Sequence, residues 1–245
     1  MTPPNPTVAA CIAAMAVDPS RPRLTFYSVA GDRTELSGTV LLNWGAKVAG
    51  LLIDELGARI GDTVAVMIPD GWQKAGILLG AWWAGMVVTD SDDAGAAAAF
   101  VAQGEDASCD EIFVVSGHPF GFPSTNVAAH QRDYTSSVQI QADQFMSRVA
   151  VPDTQSAVLD GLTVGAAGEA TWAAAEQLSP TDRVLTVGPW SLTGEVFSNL
   201  WGPIAAGAQV IHCADAATAD LRHRAVAESA TVTIGVTIAG VPRLR

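Results

Sequence analysis

Gly61-Asp62-Thr63-Val64-Ala65-Val66-Met67-Ile68-Pro69-Asp70 is the stretch whose reading decides the fold. Val64 to Ile68 is a continuous apolar run without polar alternation, the pattern of a strand covered on both faces. Pro69-Asp70-Gly71 stops it. Before it, Ser37 is placed to cap a helix. Leu41, Trp44, Val48, Leu51, Leu52 and Leu56 then follow at three- and four-residue steps, which puts them on one helical face. Gly57 stands where a left-handed terminal residue is wanted. After the strand, Trp72 to Ala84 predicts a second helix ended by Gly85, and Met86 to Thr89 predicts the next strand. Strand, crossover helix and strand make a parallel unit.

Outward from this unit, the same grammar extends in both directions. Asn5 to Val17 predicts a helix stopped by Asp18-Pro19, Arg21 to Tyr27 a loop entering a strand, and Gly31-Asp32 a hairpin turn. Ala94 to Gln103 is alanine-rich and predicts a helix. Glu111 to Val115 predicts a strand and 117–123 a loop. Further on, strands are expected at Ala157 to Leu159, Arg183 to Val187, Ala208 to His212 and Thr231 to Val236. Helices are expected at Glu169 to Leu178, Thr193 to Ala206 and Ala216 to Glu228, with a glycine-spaced loop from Gly161 to Gly168. Asp62-Thr63-Val64, Trp72, Ala84-Gly85 and Val87 recur faintly as Asp182-Arg183-Val184, Trp190, Ala206-Gly207 and Val210. Two α/β halves of similar build, 1–150 and 151–245 within one unit, would explain the recurrence, as would chance.

Composition narrows the function. With 245 residues, 49% hydrophobic and 16% charged, the chain is globular rather than disordered. A net charge of −12 argues against nucleic acid and anionic membrane as partners. Val8 to Val17 lacks a preceding positive residue, unlike a secretion signal. Ala75 to Val88 is too short to span a bilayer. Cys11, Cys109 and Cys213 are widely spaced, as expected of reduced thiols in a cytoplasmic protein.

Asp18-Pro19-Ser20-Arg21-Pro22-Arg23-Leu24-Thr25-Phe26, Leu56-Gly57 with Gly61 through Pro69, and Ala81-Trp82-Trp83-Ala84-Gly85-Met86-Val87-Val88 resemble the opening of adenylate-forming enzymes: the acyl-CoA synthetases, luciferases and peptide-synthetase adenylation domains. Leu178 through Leu185 and Ile204 through Val210 resemble the segment after that family's phosphate loop. The whole chain is similar to a group of short actinobacterial proteins related to the family's N-terminal part. The resemblance implies an α/β fold of two similar, mostly parallel sheets flanked by helices. It also marks a departure. The family's loop is rich in Ser, Thr and Gly and ends in Lys-Gly. The matching place here, Asp160 to Glu169, keeps Gly161, Thr163, Gly165 and Gly168 but has Glu169 and no lysine. A carboxylate there would repel a triphosphate. The chain's two lysines are Lys47 and Lys74. The chain ends about where the family's adenine- and ribose-binding motifs would begin. The resemblance therefore implies no ATP activation by this chain alone.

The candidate ligand contacts are Gly161, Thr163, Gly165, Gly168, Trp190 and Ser191. The glycines read first as a strand-to-helix turn, and second as a relic anion loop offering backbone N–H groups. Trp190 follows a strand end, where ligands sit in parallel sheets, and matches the region of the family's acyl-binding aromatic. The other reading has it covering the sheet end. Asp90, Asp92 and Asp93 read as a loop cap, with Mg²⁺ as the alternative. Adjacent His212 and Cys213 point to opposite faces of a strand, and no metal set is assigned. No catalytic residue or cofactor is assigned. Seven tryptophans mark core positions, and some of them could instead form an apolar face for a second copy or a partner protein. The expectation is a non-catalytic remnant binding a small molecule, a protein or itself. The alternatives are a residual acyl- or nucleotide-binding enzyme needing a partner chain, or an unrelated hydrolase.

Overall fold

The computed structural model describes residues 5–147, 149–214 and 221–244. In chain order the elements begin with α1 (Pro6–Val17), β1 (Pro22–Tyr27), β2 (Arg33–Ser37), α2 (Gly38–Gly50), β3 (Thr63–Met67), α3 (Trp72–Trp83) and β4 (Val87–Thr89). There follow β5 (Ala98–Ala102), β6 (Ile112–Val115), β7 (Arg132–Asp133) and α4 (Tyr134–Gln139). The remainder holds α5 (Val164–Ala175), β8 (Arg183–Val187), α6 (Gly202–Ala205), β9 (Gln209–Cys213), α7 (Leu221–Ala227) and β10 (Val232–Ile234). Wider π-helical turns continue α2 through Leu51–Glu55 and lead into α6 through Phe197–Trp201.

The strands form two five-stranded sheets, in the orders β10-β8-β9-β1-β2 and β4-β3-β5-β6-β7. Every pairing is parallel except β1 with β2. The expected pair of mostly parallel, helix-flanked sheets is therefore the observed architecture. The sheets are interleaved along the chain. β1 and β2 leave the first half to pair beside β9, Leu24 against Val210 and Phe26 against His212. Helix α2 packs on β1 and β2, α3 packs on β3 and β4, and the two helices pack on each other between the sheets. Helix α3 is buried at every position from Trp72 to Trp82, as the apolar run from Ala75 to Trp82 requires, and the polar Gln73 and Lys74 are buried with it. Trp72, Trp82, Trp190 and Trp201 are buried, while Trp172 is 49% exposed.

The Ser37 cap is present, its hydroxyl accepting from Val40 N, and Gly57 is left-handed at φ 71°. The recurring residues make matching turns in the β3-α3-β4 and β8-α6-β9 units. Asp62 and Asp182 each accept with a carboxylate oxygen at 2.7 Å, from Arg59 N and Ser179 N. Their carbonyls accept from Val87 N and Gln209 N at 2.9 and 3.0 Å. Gly85 and Gly207 both turn at φ 80° into the second strand of each unit.

Three expectations are corrected. Ala94 to Gln103 is not a helix; it contains β5, hydrogen-bonded between β3 and β6. Alanine favours helix, but Ala98, Ala99 and Phe100 have no exposed surface, and burial on both faces overrides propensity. Ala157 to Leu159 is not a strand but a bridge, Val88 opposite Val158. Gly161 to Gly168 is not a loop throughout. Helix α5 starts at Val164 with Thr163 as its cap, so the expected Glu169 start lies inside it. Its glycines serve packing: a Cβ on Gly165 would lie 3.2 Å from Asp153 Cβ, and one on Gly168 would lie 3.1 Å from Pro6 Cβ. The helix expected from Ala216 to Glu228 is observed as α7, and its 216–220 part falls outside the described residues.

Candidate functional site

A cavity of about 290 Å³ opens at the carboxyl ends of β1, β3, β5 and β6, between the sheets. Parallel sheets place ligands at such strand ends. Phe26, Ile68, Trp72 and Val115 supply apolar wall; Asp70, Gln73, Lys74 and Ser116 supply polar groups. Pro69-Asp70-Gly71 ends β3 and starts α3 within three residues, so Asp70 and Lys74 face each other one helical turn apart. Lys74 Nζ donates to Asp70 Oδ1 at 2.8 Å, with side chains 11% and 17% exposed. Asp70 Oδ2 accepts from Trp190 N at 2.7 Å, which ties the end of β3 to the segment following β8. The 117–123 loop closes one side. Gln73 Nε2 donates to His118 O at 3.0 Å, Thr34 Oγ1 to Pro119 O at 3.2 Å, and Ser116 Oγ to Phe122 O at 2.6 Å.

Behind the cavity, His212 stacks on Phe26 at 5.8 Å and lies 4.6 Å from the Trp190 ring. Its Nδ1 is 2.9 Å from Thr186 Oγ1, and its Nε2 has no partner among the described residues. Burial pushes the imidazole down to about 4, against the opposing pull of the Asp70 charge. The native state thus holds His212 neutral, whereas the unfolded chain protonates it near 6.5. No stability is lost above that value. As pH falls from 6.5 towards 4, the unfolded state gains a proton the native state refuses, at a total of about 3 kcal/mol. Urea denaturation from pH 7.5 to 4.5 should show this decline, and His212→Phe should flatten it. Equal slopes in the two proteins would refute the assignment.

The sequence-derived candidates fall in two separate places. Gly165 and Gly168 line a shallow groove with Asp153, Glu169, Trp172 and Glu176. The N-terminus of α5 is already satisfied internally. Val164 N donates to Gln155 O at 2.8 Å, Gly165 N to Asp153 O at 2.9 Å, and Ala166 N to Thr163 Oγ1 at 3.2 Å. Gly161 N donates to Val158 O at 3.1 Å. Trp190 is 1% exposed and covers the end of the sheet over His212. Ser191 pairs with Thr193 at 2.6 Å in the turn before the next helix. Asp92 and Asp93 accept from Ser108 N and Gly95 N as loop caps. Among the described residues, no three His, Cys, Asp or Glu side chains gather as a metal site, and no helix is long and apolar enough to cross a membrane. Asp70 and Lys74 were missed from sequence. Their signal was one of two lysines set inside an apolar helix, four residues after a carboxylate at a strand end.

No family model matches the chain. Among solved structures, it is similar to an acyl-CoA synthetase from Brucella canis, with TM-score 0.73 and 16% identity, covering 92% of this chain and 47% of that one. A long-chain-fatty-acid-CoA ligase from Archaeoglobus fulgidus gives TM-score 0.73 and 14% identity over 96% of this chain and 52% of that one. A benzoate CoA ligase from Burkholderia xenovorans gives 0.70 and 16% over 94% and 50%. The chain spans about half the length of these solved structures, and its fold is that of the N-terminal part of the adenylate-forming ligases. In sequence it is 35% identical to a TIGR03089 family protein of Mycobacterium tuberculosis over 231 residues, 89% of this chain and 93% of that protein. The chain belongs to the TIGR03089 family.

Proposed function

We propose that the chain is a non-catalytic binding module on the ligase fold, taking a small, largely apolar molecule in the cavity at the strand ends. The observation that carries this reading is the filled start of α5. The three amides that follow its cap, orphan donors at most helix N-termini, are spent on Gln155, Asp153 and Thr163. A phosphate arriving there would find no free donor in that turn, and it would meet Asp153, Glu169 and Glu176 in the adjoining groove. The cavity is partly open, mainly apolar and sized for a small ligand. Cys11, Cys109 and Cys213 are free buried thiols, in keeping with a reducing, cytoplasmic setting.

Thermal-shift measurements test the reading. ATP with Mg²⁺, AMP and acyl-CoA thioesters should leave Tm unchanged, and no pyrophosphate should be released. A small apolar compound at a hundred times its Kd should add about 2.7 kcal/mol, or roughly 5–10 °C for a chain of this size. A rise in Tm with ATP together with pyrophosphate release would replace the binding module by an enzyme.

A further inference from the structure

We infer that the cavity selects an uncharged carbonyl compound, an ester, amide, ketone or thioester of about ten non-hydrogen atoms, through a hydrogen bond from the Lys74 ammonium. The inference rests on the binding-module reading above and narrows it to a chemical class.

The argument is an inventory of donors and acceptors. An ammonium carries three N–H donors. Lys74 Nζ spends one on Asp70 Oδ1 at 2.8 Å, its one hydrogen bond among the described residues. Each Asp70 oxygen already accepts one hydrogen bond, Oδ1 from Lys74 and Oδ2 from Trp190 N at 2.7 Å. Ser116 Oγ donates to Phe122 O and Gln73 Nε2 to His118 O, so these wall groups hold the 117–123 loop. Two N–H groups of Lys74, and the buried Trp72 Nε1 that has no partner among the described residues, are therefore the unspent donors of this wall. A ligand that seats fully must bring an acceptor, since a buried donor left without one costs free energy.

Charge decides which acceptor. The ionised groups lining the cavity are Asp32, Asp70 and Lys74. Asp70 neutralises Lys74 at contact distance, and Asp32 leaves the lining net negative. A carboxylate ligand would sit against apolar wall and the carboxylates of Asp32 and Asp70, with no uncompensated cation to meet it. An ammonium ligand would lie against the Lys74 ammonium, which already neutralises Asp70, while Asp32, the other carboxylate of the lining, is exposed and screened by water. An uncharged carbonyl supplies lone pairs without either conflict. Its remaining atoms face Phe26, Ile68, Trp72 and Val115. A cavity of about 290 Å³ holds about ten water-sized groups at 30 Å³ each.

Isothermal titration of the full chain with methyl benzoate, benzoate, benzylammonium and ethylbenzene tests this, repeated on the Asp70→Asn/Lys74→Met double variant. A hydrogen bond to a charged donor predicts that methyl benzoate binds about tenfold or more tighter than ethylbenzene. The double variant should erase that margin while retaining ethylbenzene binding. If the double variant does not fold, the wild-type ranking stands as the test. Benzoate or benzylammonium binding tightest, or equal binding of ester and hydrocarbon, overturns the carbonyl assignment and leaves the cavity a binding site. Failure of all four probes to bind overturns the binding-module reading along with it.

Discussion

Trp82→Ala should lower the unfolding free energy by about 4 kcal/mol, the range for deleting a large buried aromatic. Trp82 is 1% exposed near the end of α3. Its ring lies 5.0 Å from Phe197 and 6.3 Å, edge-on, from Trp201. Those two residues belong to the helix of the second strand-helix-strand unit, so one side chain joins the helices of both repeats. Its Nε1 also donates to Ala157 O at 2.9 Å, fixing the segment that bridges to Val88. Trp82→Phe keeps most of the ring contact and drops the donor. Ala157 O still accepts from Val88 N at 3.0 Å, so the loss should be about 1–2 kcal/mol. Trp172→Ala, at an exposed site, should change stability by about 0.5 kcal/mol or less. Urea titration followed by circular dichroism gives all three. If Trp82→Ala costs no more than Trp172→Ala, the two repeats are not held together through this contact.

The contrast between Trp82 and Trp172 also marks what the sequence could reveal. The 37–89 unit was legible because its signals are local: a serine cap, apolar residues at helical spacing, and glycines where φ turns positive. β5 was not, because Ala98 and Ala99 are strand residues only by virtue of lying between β3 and β6. The start of α5 was misread because Gly165 and Gly168 resemble a loop. Their reason is close contact with Asp153 and Pro6, the latter some 160 residues earlier in the chain. The glycine and tryptophan candidates were chosen by family likeness. The cavity could not be read in the same way. Its polar wall depends on Asp70 reaching Trp190, 120 positions away, and on β1 inserting beside β9. Neither contact leaves a periodic trace. What could be seen in advance was the Asp70–Lys74 spacing, a cue for a local pair that says nothing of the space beside it.

An ionic cluster lies across β8, β1 and β2 of the β10-β8-β9-β1-β2 sheet. Glu228→Gln should destabilise the protein by about 3 kcal/mol, the low end for breaking a buried ionic cluster. The Glu228 side chain is 6% exposed just beyond α7. Arg33 Nε donates to it at 2.7 Å, Arg183 Nη2 at 2.9 Å and Tyr27 OH at 2.7 Å. One carboxylate thus joins the end of β1 and the starts of β2 and β8 to the end of α7. The low end of the range applies because Arg33 is 42% exposed and also holds Glu35, so water and a second carboxylate soften its loss. Burial by itself would raise the Glu228 carboxyl, but the hydrogen bonds from Arg33 and Tyr27 outweigh it and hold it below the usual carboxylate range. The sign of the pH effect follows. The contribution is fully present above the unfolded value, about 4.3, and is lost as pH falls through the depressed native value. The wild type should therefore lose stability below about pH 4.3 more steeply than Glu228→Gln does. Pairing Glu228→Gln with Arg183→Met should cost less than the sum of the single changes, because each single change strands the other's charge. Additive losses, or a Glu228→Gln protein as stable as its parent at pH 7, would mean that the cluster is solvated and that β1, β2 and β8 are held by their strand hydrogen bonds alone.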